Sequence, residues 1–482
     1  MNLTRLAVAG ARWTTVSAIV GVIAHLLQLT VLAHLLTPRD FGLVGIVMLV
    51  IGFAQAFTDL GISAALIHRQ DATPDQLSSL YWLNVLAGIV VLAVVLALAP
   101  LVGDAFGDAA LVPVLRAVSL VFVVVPLGKQ FEMLLQRDLR FATLARQEVT
   151  AAVVSTAAVI GIALSGGGVW ALVAGTIAGA VTRTTQLVAW GVRFHKPALR
   201  FRRADLDGYV SFGLYQIGER CISYVGSRLD QLLIGGMLGA SALGYYNFAY
   251  NLAMQPVTRV NPILTRVAFP TLSKVQHDRA RLQRGYLKVL RLLTLTNAPL
   301  LVGFAVVAPR LIPLVFGDQW IPSVILVQLL SFVALLRAVA NPVGSLLLAR
   351  GRADLGFRWN VLVLAVFVPT VLIGGRIGGA AGIAGALLAM QVLLTVGTYW
   401  ILVRPAAGAC GEAYTAAILR PLVYAGIMAA AILPLEGLSE VLPAVPYLAL
   451  QVLLGGAAYL LLIWSFERRL LEELRPSAVA GS

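Results

Sequence analysis

Long apolar stretches separated by short polar connections run through almost the whole chain. A helix needs about 20 apolar residues to cross the hydrocarbon core of a bilayer. By that length the pattern predicts an all-α polytopic membrane protein with fourteen spans, an even number that places both termini on one side. The spans are expected at approximately 13–36, 41–63, 77–100, 109–135, 144–165, 168–192, 208–236, 241–269, 286–308, 321–348, 354–375, 378–403, 415–434 and 446–466.

Basic residues outside these stretches are concentrated in alternate connections. The N-terminus, the even-to-odd connections and the C-terminal tail hold runs such as "RFHKPALRFRR" (193–203) and "ARGRADLGFR" (349–358), whereas the opposite connections hold only Arg39, Arg310 and Arg376. Because cytoplasmic loops carry the excess of Lys and Arg, we expect both termini to be cytoplasmic. The opposite connections, such as "SGGG" and "LGAS", are too short to fold as a catalytic domain.

Two pairs of short segments indicate an internal repeat. "LLTPRDFG" (35–42) aligns with "MLGASALG" (237–244), and "FGD" occurs at both 106–108 and 316–318. Six spans separate the copies, so both copies have the same orientation, as in transporters built from parallel repeats. Chance similarity between Gly- and Leu-rich helices is the alternative explanation. The predicted organisation is an N-terminal lobe (1–193, spans 1–6), a cytoplasmic linker (194–207), a C-terminal lobe (208–405, spans 7–12), spans 13 and 14 (406–466) and a cytoplasmic tail (467–482).

The seventh span carries four charges, Glu219, Arg220, Arg228 and Asp230. Each charge would cost about 2.5–3.5 kcal/mol at the centre of a bilayer. Helical spacing places them on one broad polar arc, opposite an apolar arc that suits lipid. The eighth span repeats this arrangement with polar residues at every fourth position, Asn247, Asn251, Gln255 and Arg259.

Smaller polar groups on other spans point to a water-filled chamber. Arg337 with Asn341, Gln55 with Asp59, and Lys129 with Glu132 each share a helix face. Arginine is in excess, which suits an anionic substrate, because guanidinium offers bidentate geometry to phosphate at any relevant pH. The candidate substrate-binding residues are Arg220, Arg228, Arg259, Arg337, Arg116, Arg183, Asn247, Asn251 and Gln255, and the candidates for ion coupling or pairing are Asp59, Glu219 and Asp230. Structural ion pairing is the alternative for each charge, and for Lys129 with Glu132 it is the preferred interpretation.

Composition excludes a soluble protein and offers no metal chemistry. The 482 residues are 59% hydrophobic and 12% charged, with a mean hydropathy of +0.89, whereas soluble domains carry about 25% charged residues. The net charge of +14 follows from the loop distribution and needs no nucleic acid to explain it. Cys221 and Cys410 lack metal or CxxC spacing, and the five histidines form no HExxH pattern. We expect no cofactor and no metal.

Four stretches resemble the bacterial oligosaccharide flippase family, the polysaccharide-transporter branch of the multidrug, oligosaccharidyl-lipid and polysaccharide exporter superfamily. They are "LLTPRDFGLVGIVMLVIGFAQAFTDLGISAALIHR" (35–69), "SRLDQLLIGGMLGASALGYYNFAYNLAMQPVTRV" (227–260), "FPTLSKVQHD" (269–278) and "LLARGRADLGFRWN" (347–360). Arg228 and Asp230 fall on one family pattern, whereas Gly236 stands where the family often has a basic residue.

The resemblance implies a function as well as a fold. It implies two six-helix lobes that alternate access to a cationic cavity in the inner membrane. The implied substrate is an undecaprenyl-pyrophosphate-linked oligosaccharide destined for O-antigen, capsule or exopolysaccharide, with a glycan polymerase and a chain-length regulator as possible partners. No enzymatic activity is expected. The alternatives are a drug or cation exporter of the same superfamily, a membrane glycosyltransferase, polymerase or ligase, and a non-transporting scaffold.

Overall fold

The computed structural model describes residues 3–58, 73–138, 140–194, 196–202, 210–440 and 442–468. Every regular element in these ranges is helical, with no strand. Residue contacts divide the chain into two compact units, Met1–Gly244 and Tyr245–Ser482. This division falls inside a helix rather than in the predicted linker at 194–207, so the lobe boundaries stay a prediction.

In the first unit, α6 packs against α7 and α1, and α5 packs against α7 and α3. Tyr81, Phe131, Leu144 and Leu187, one from each of α3, α5, α6 and α7, form a buried apolar cluster. The helices of this unit are α1 Leu3–Leu35, α2 Pro38–Thr58, α3 Pro74–Phe106, α4 Leu111–Ser119, α5 Val121–Arg137, α6 Phe141–Leu164 and α7 Trp170–Gly191, followed by the start of α8, Val210–Lys274.

In the second unit, α9 packs against α10, α14 and α15. Tyr286 and Leu290 of α9 are fully buried beside Leu346 and Tyr414. The elements that follow α8 are α9 Arg279–Phe316, α10 Ser323–Ala340, α11 Pro342–Ala349, α12 Ala353–Thr398, a π-helical turn Tyr399–Val403, α13 Arg404–Ala407, α14 Gly411–Ile432 and α15 Ala444–Phe466.

The prediction of a polytopic helical membrane protein is confirmed. Within the described residues, ten helical stretches are long and apolar enough to cross a membrane. Large apolar side chains face outward along them, for example Leu453, Leu461 and Trp464 of α15. Such a surface is costly in water and suits contact with lipid.

The two longest helices, α8 and α12, break at glycines close to the predicted ends of spans. Gly239 interrupts α8 with φ 81° and ψ 178°, within the connection "LGAS". Gly378 and Gly379 interrupt α12. Gly379 has φ 57°, a backbone angle that residues other than glycine rarely adopt. Two predicted spans also divide, 109–135 into α4 and α5 and 321–348 into α10 and α11. The second division falls at Pro342, because proline cannot donate the hydrogen bond that would continue a helix.

Candidate functional site

A small polar cavity of about 180 Å³ lies within the first unit. Four helices supply its lining: Gln55 and Thr58 from α2, Asn84 from α3, Val125, Pro126 and Lys129 from α5, and Arg220 from α8. Packing of these four helices brings their polar groups together at the cavity. The space suits a few water molecules or one small anionic group.

The two cations of this cavity differ in their surroundings. Lys129 Nζ lies 3.3 Å from Glu132 Oε2, which confirms the predicted structural pair. Arg220 is half-buried and lines the cavity with amide and hydroxyl groups. The Arg220 guanidinium and the Lys129 ammonium therefore share this cavity with the amide and hydroxyl groups of Gln55, Thr58 and Asn84.

Further along α8, two residues of the polar arc of the seventh span are buried. Asp230 and Gln231 are 2% and 3% exposed. The Arg228 guanidinium donates to Gln231 Oε1 at 3.2 Å, and Asp230 Oδ1 accepts the backbone N–H of Gln231 at 2.9 Å. Of the remaining candidates here, Asp59 and the Glu219 side chain lie outside the described residues.

Arg183 lies in a network that joins four helices and reaches the small cavity through Glu132, which also pairs with Lys129. Its Nη2 atom is 3.0 Å from Glu132 Oε1 and 3.5 Å from Glu148 Oε1. The Ser17 hydroxyl donates to Glu148 Oε2 at 3.2 Å. The network connects α1, α5, α6 and α7, which is the arrangement of a packing element. Arg116, on the short helix α4, is exposed.

In the second unit, the predicted polar stripe on α8 contains both buried and exposed residues. Asn247 is buried, Gln255 is half-buried, and Asn251 and Arg259 are exposed. The Arg337 guanidinium of α10 donates to the Tyr250 hydroxyl at 3.4 Å. Exposed amide and guanidinium groups are costly against acyl chains, so this face suits water or a polar ligand.

Three buried asparagines were missed by sequence reasoning. Asn297 of α9 is fully buried, and its Nδ2 atom donates to Asn261 Oδ1 of α8 at 3.0 Å. Asn84, which lines the small cavity, is 3% exposed. In the sequence, the only indication was an asparagine within an apolar stretch. The spacing along the chain could not show its hydrogen-bond partner, because that partner lies on another helix. Within the described ranges, no group of three or more His, Cys, Asp or Glu residues could hold a metal ion.

Comparisons with known sequences point to polysaccharide export. A profile of a family described as polysaccharide biosynthesis protein matches residues 31–325. The chain is 34% identical to the lipopolysaccharide biosynthesis protein WzxC of Escherichia coli K12, over 87% of this chain and 86% of that protein. It is 33% identical to the teichuronic acid biosynthesis protein TuaB of Bacillus subtilis, over 83% of each. The succinoglycan biosynthesis transport protein ExoT of Rhizobium meliloti is 25% identical, with 93% and 91% covered.

Comparisons with solved structures show the fold. The structure of the lipid II flippase MurJ in an inward closed conformation matches with a TM-score of 0.74 at 14% identity, covering 95% of this chain and 99% of that one. An inward-facing multidrug resistance MATE family transporter of the MOP superfamily matches with a TM-score of 0.59 at 15% identity, covering 80% and 94%. The chain therefore has the fold of these transporters.

Proposed function

The chain belongs to the polysaccharide biosynthesis protein family, and from this membership we propose that it is a flippase for lipid-linked oligosaccharide repeat units. Its substrate is a polyprenyl-pyrophosphate-linked oligosaccharide, which it moves across the bacterial inner membrane for export of O-antigen, capsule or exopolysaccharide. The observation that carries the proposal is the 34% identity over 87% of the chain to a lipopolysaccharide biosynthesis protein. The flippase-like fold supports the same conclusion.

The architecture that belongs to this proposal has fourteen spans in two six-helix lobes, with two further spans at the C-terminal end. Divided at Gly239 and at Gly378–Gly379, and with α4 and α5 joined, α10 and α11 joined and the four-residue α13 left out, the described helices supply fourteen segments near the predicted positions. Both termini are cytoplasmic in this arrangement, on the evidence of the Lys and Arg distribution.

A reciprocal close contact supports the parallel repeat. A Cβ on Gly42 would lie 1.7 Å from the Ala240 carbonyl oxygen, and a Cβ on Gly244 would lie 1.8 Å from the Pro38 carbonyl oxygen. The sequence alignment of 35–42 with 237–244 pairs Gly42 with Gly244 and Pro38 with Ala240. Exchanging the two copies therefore turns one contact into the other, as expected of segments related by a two-fold axis.

In the proposed mechanism, arginines hold the pyrophosphate while access alternates between the two sides. Some of the candidates Arg220, Arg228, Arg259 and Arg337 bind the headgroup, because guanidinium forms charge-assisted, bidentate hydrogen bonds to phosphate oxygens. The amides of Asn247, Asn251 and Gln255 receive sugar hydroxyls, and Arg116 is a further candidate. Asp59, Glu219 and Asp230 are candidates for ion coupling or pairing. Arg183 acts by positioning helices, since two carboxylates already hold it.

The excess of arginine among the candidate binding residues distinguishes the proposed flippase from a drug or cation exporter, because an exporter of that kind needs a site dominated by acidic residues. The small cavity brings Arg220 and Lys129 together with neutral amide and hydroxyl groups. A glycan polymerase and a chain-length regulator are the proposed partners of the flippase, because its product is their substrate.

The test replaces Arg220, Arg228, Arg259 and Arg337 singly by alanine in cells that lack the native copy. Surface polysaccharide is measured at matched protein level, and loss of one charge-assisted contact should reduce it about tenfold or more. Arg220→Lys, which keeps the charge but loses bidentate geometry, should retain part of the activity.

Arg376→Ala is the matched control, since Arg376 is exposed and lies at the glycine break of α12. Its polysaccharide level should equal that of the unmodified protein. Unchanged polysaccharide in all four alanine variants would contradict the cationic mechanism.

A further inference from the structure

A second cavity, of about 730 Å³, opens in the second unit away from the candidate substrate residues. Its volume is within the range of small-molecule sites. The start of α9, the helix α13 and the loop before α14 supply its lining, which consists of Arg279, Ala280, Gln283, Arg404, Pro405, Ala407, Gly408 and Ala409.

The loop in this cavity is held in a defined shape. The Gln283 side-chain amide donates to the carbonyl oxygens of Ala407 and Ala409, both at 3.3 Å. Gly408 has φ 100°, and a Cβ there would lie 2.8 Å from Arg279 Nε. A side chain at this position would therefore be strained and would displace the guanidinium. The hydrogen bonds from Gln283 and the backbone conformation of Gly408 therefore fix the loop beside Arg279.

The two arginines are available to an anion. Within the part of the chain that the structure describes, neither Arg279 nor Arg404 pairs with a carboxylate. Asp278, which is next to Arg279 in sequence, pairs with Arg281 at 3.1 Å. The Arg404 guanidinium lies over the Trp400 ring, 4.9 Å from its centroid. Two guanidinium groups in one cavity suit a phosphate group.

An exposed apolar stripe ends at the same cavity. Leu393, Val396 and Trp400 are 73%, 58% and 56% exposed, and their spacing continues to Arg404, so the four residues share a helix face. Tryptophan is enriched at the level of lipid headgroups. The stripe provides a surface for acyl chains that leads directly to the arginines.

We propose that this cavity binds the phosphate of an anionic bilayer phospholipid, with the acyl chains along Leu393, Val396 and Trp400. The segments that line it lie in connections that the Lys and Arg distribution assigns to the cytoplasmic side. Anionic lipids attract basic groups on that side of the membrane. A phospholipid satisfies both the paired arginines and the apolar stripe, whereas free phosphate satisfies only the arginines.

The test measures lipid binding to the purified full-length protein by native mass spectrometry. Phosphatidylglycerol should bind in preference to phosphatidylcholine, and the double substitution R279A/R404A should weaken phosphatidylglycerol binding about tenfold or more. Trp400→Ala should weaken lipid binding without changing any response to inorganic phosphate. Arg281→Ala is the matched control, because Arg281 is an exposed arginine near the cavity and pairs with Asp278. This variant should bind phosphatidylglycerol like the unmodified protein.

Three outcomes would overturn the proposal. The first is equal binding of phosphatidylglycerol by R279A/R404A and by the unmodified protein. The second is that inorganic phosphate binds to the protein as well as phosphatidylglycerol does. The third is stoichiometric displacement of the lipid by undecaprenyl pyrophosphate, which would assign the cavity to the transport substrate. The thermal unfolding of each variant in lipid-free detergent shows whether it folds. If R279A/R404A does not fold, Trp400→Ala decides alone, and undiminished lipid binding by that variant overturns the proposal.

Discussion

At the scale of single residues, the arginines of the spans differ in what surrounds them. Sequence reasoning placed Arg183 and Arg220 in one group because both are charges in apolar helices. In the structure, Arg183 contacts Glu132 and Glu148, whereas Arg220 lines a cavity of amides and hydroxyls. A guanidinium that two carboxylates already hold stabilises the protein and has little capacity left for a substrate.

Replacing Arg183 by alanine should therefore lower stability more than it affects substrate recognition. The change leaves Glu132 and Glu148 without this partner, and the expected loss is about 1–3 kcal/mol because the pair is only partly exposed. Thermal unfolding of the purified protein measures it. In a double-mutant cycle with Glu132→Ala, the two losses should be less than additive, with a coupling energy of about 0.5–3 kcal/mol. Fully additive losses would contradict the proposed interaction.

At the scale of helices, the close approach of α2 and α8 depends on residues without side chains. Besides the contacts at Gly42 and Gly244, a Cβ on Gly52 would lie 2.2 Å from the Tyr224 hydroxyl oxygen, and that hydroxyl donates to the Met48 carbonyl oxygen at 3.2 Å. Backbone-to-backbone contact of this kind is typical of small-residue interfaces between helices in membranes.

Gly42→Ala should separate α2 from α8, because the added methyl group would meet a backbone carbonyl that cannot rotate away. Overpacking of this kind costs about 1–3 kcal/mol, and we expect a lower melting temperature and reduced polysaccharide export. Gly236→Ala is the matched control, since a Cβ at Gly236 meets nothing within 4 Å. The control should be neutral or slightly stabilising. Equal stability of the two variants would argue against the contact.

The last helix, α15, is held in the second unit by a buried carboxylate. Glu467 is 2% exposed and accepts hydrogen bonds from the Arg291 guanidinium and, at 3.3 Å, from the Tyr424 hydroxyl. Glu467→Ala should leave the Arg291 charge unpaired, a loss of about 3–5 kcal/mol for a buried pair and less here because Arg291 is partly exposed. Faster hydrogen exchange across Ala444–Phe466 is the expected result, while Arg468→Ala, at the neighbouring exposed position, should leave exchange unchanged. Unaltered exchange in the Glu467 variant would show that apolar packing alone holds α15.

At the scale of the whole molecule, the proposed orientation makes a clear prediction about accessibility. Arg352 and Arg376 are both exposed and lie at opposite ends of the segment of α12 that precedes its glycine break. In a C221S/C410S background, Arg376→Cys should react with an impermeant thiol reagent in intact cells whose outer barrier has been opened. Arg352→Cys should react only after the inner membrane is permeabilised. The reverse pattern would contradict cytoplasmic termini.

The sequence by itself determined the membrane class and the long apolar helices, ten of which could cross a membrane within the described residues. These features depend on hydropathy, which is a property of neighbouring residues along the chain. The family resemblance, confirmed by the comparisons, followed from ordered stretches of sequence for the same reason.

Only the tertiary structure decided which polar groups meet. The pairing of Asn261 with Asn297, the position of Asn84 beside Arg220, and the pairing of Arg183 with Glu132 all join different helices. Helical periodicity states which face a residue occupies, but it does not state which helix packs against that face. The partner of each buried polar group is therefore a property of the packed protein, and the same arginine can stabilise the fold or bind a ligand according to that partner.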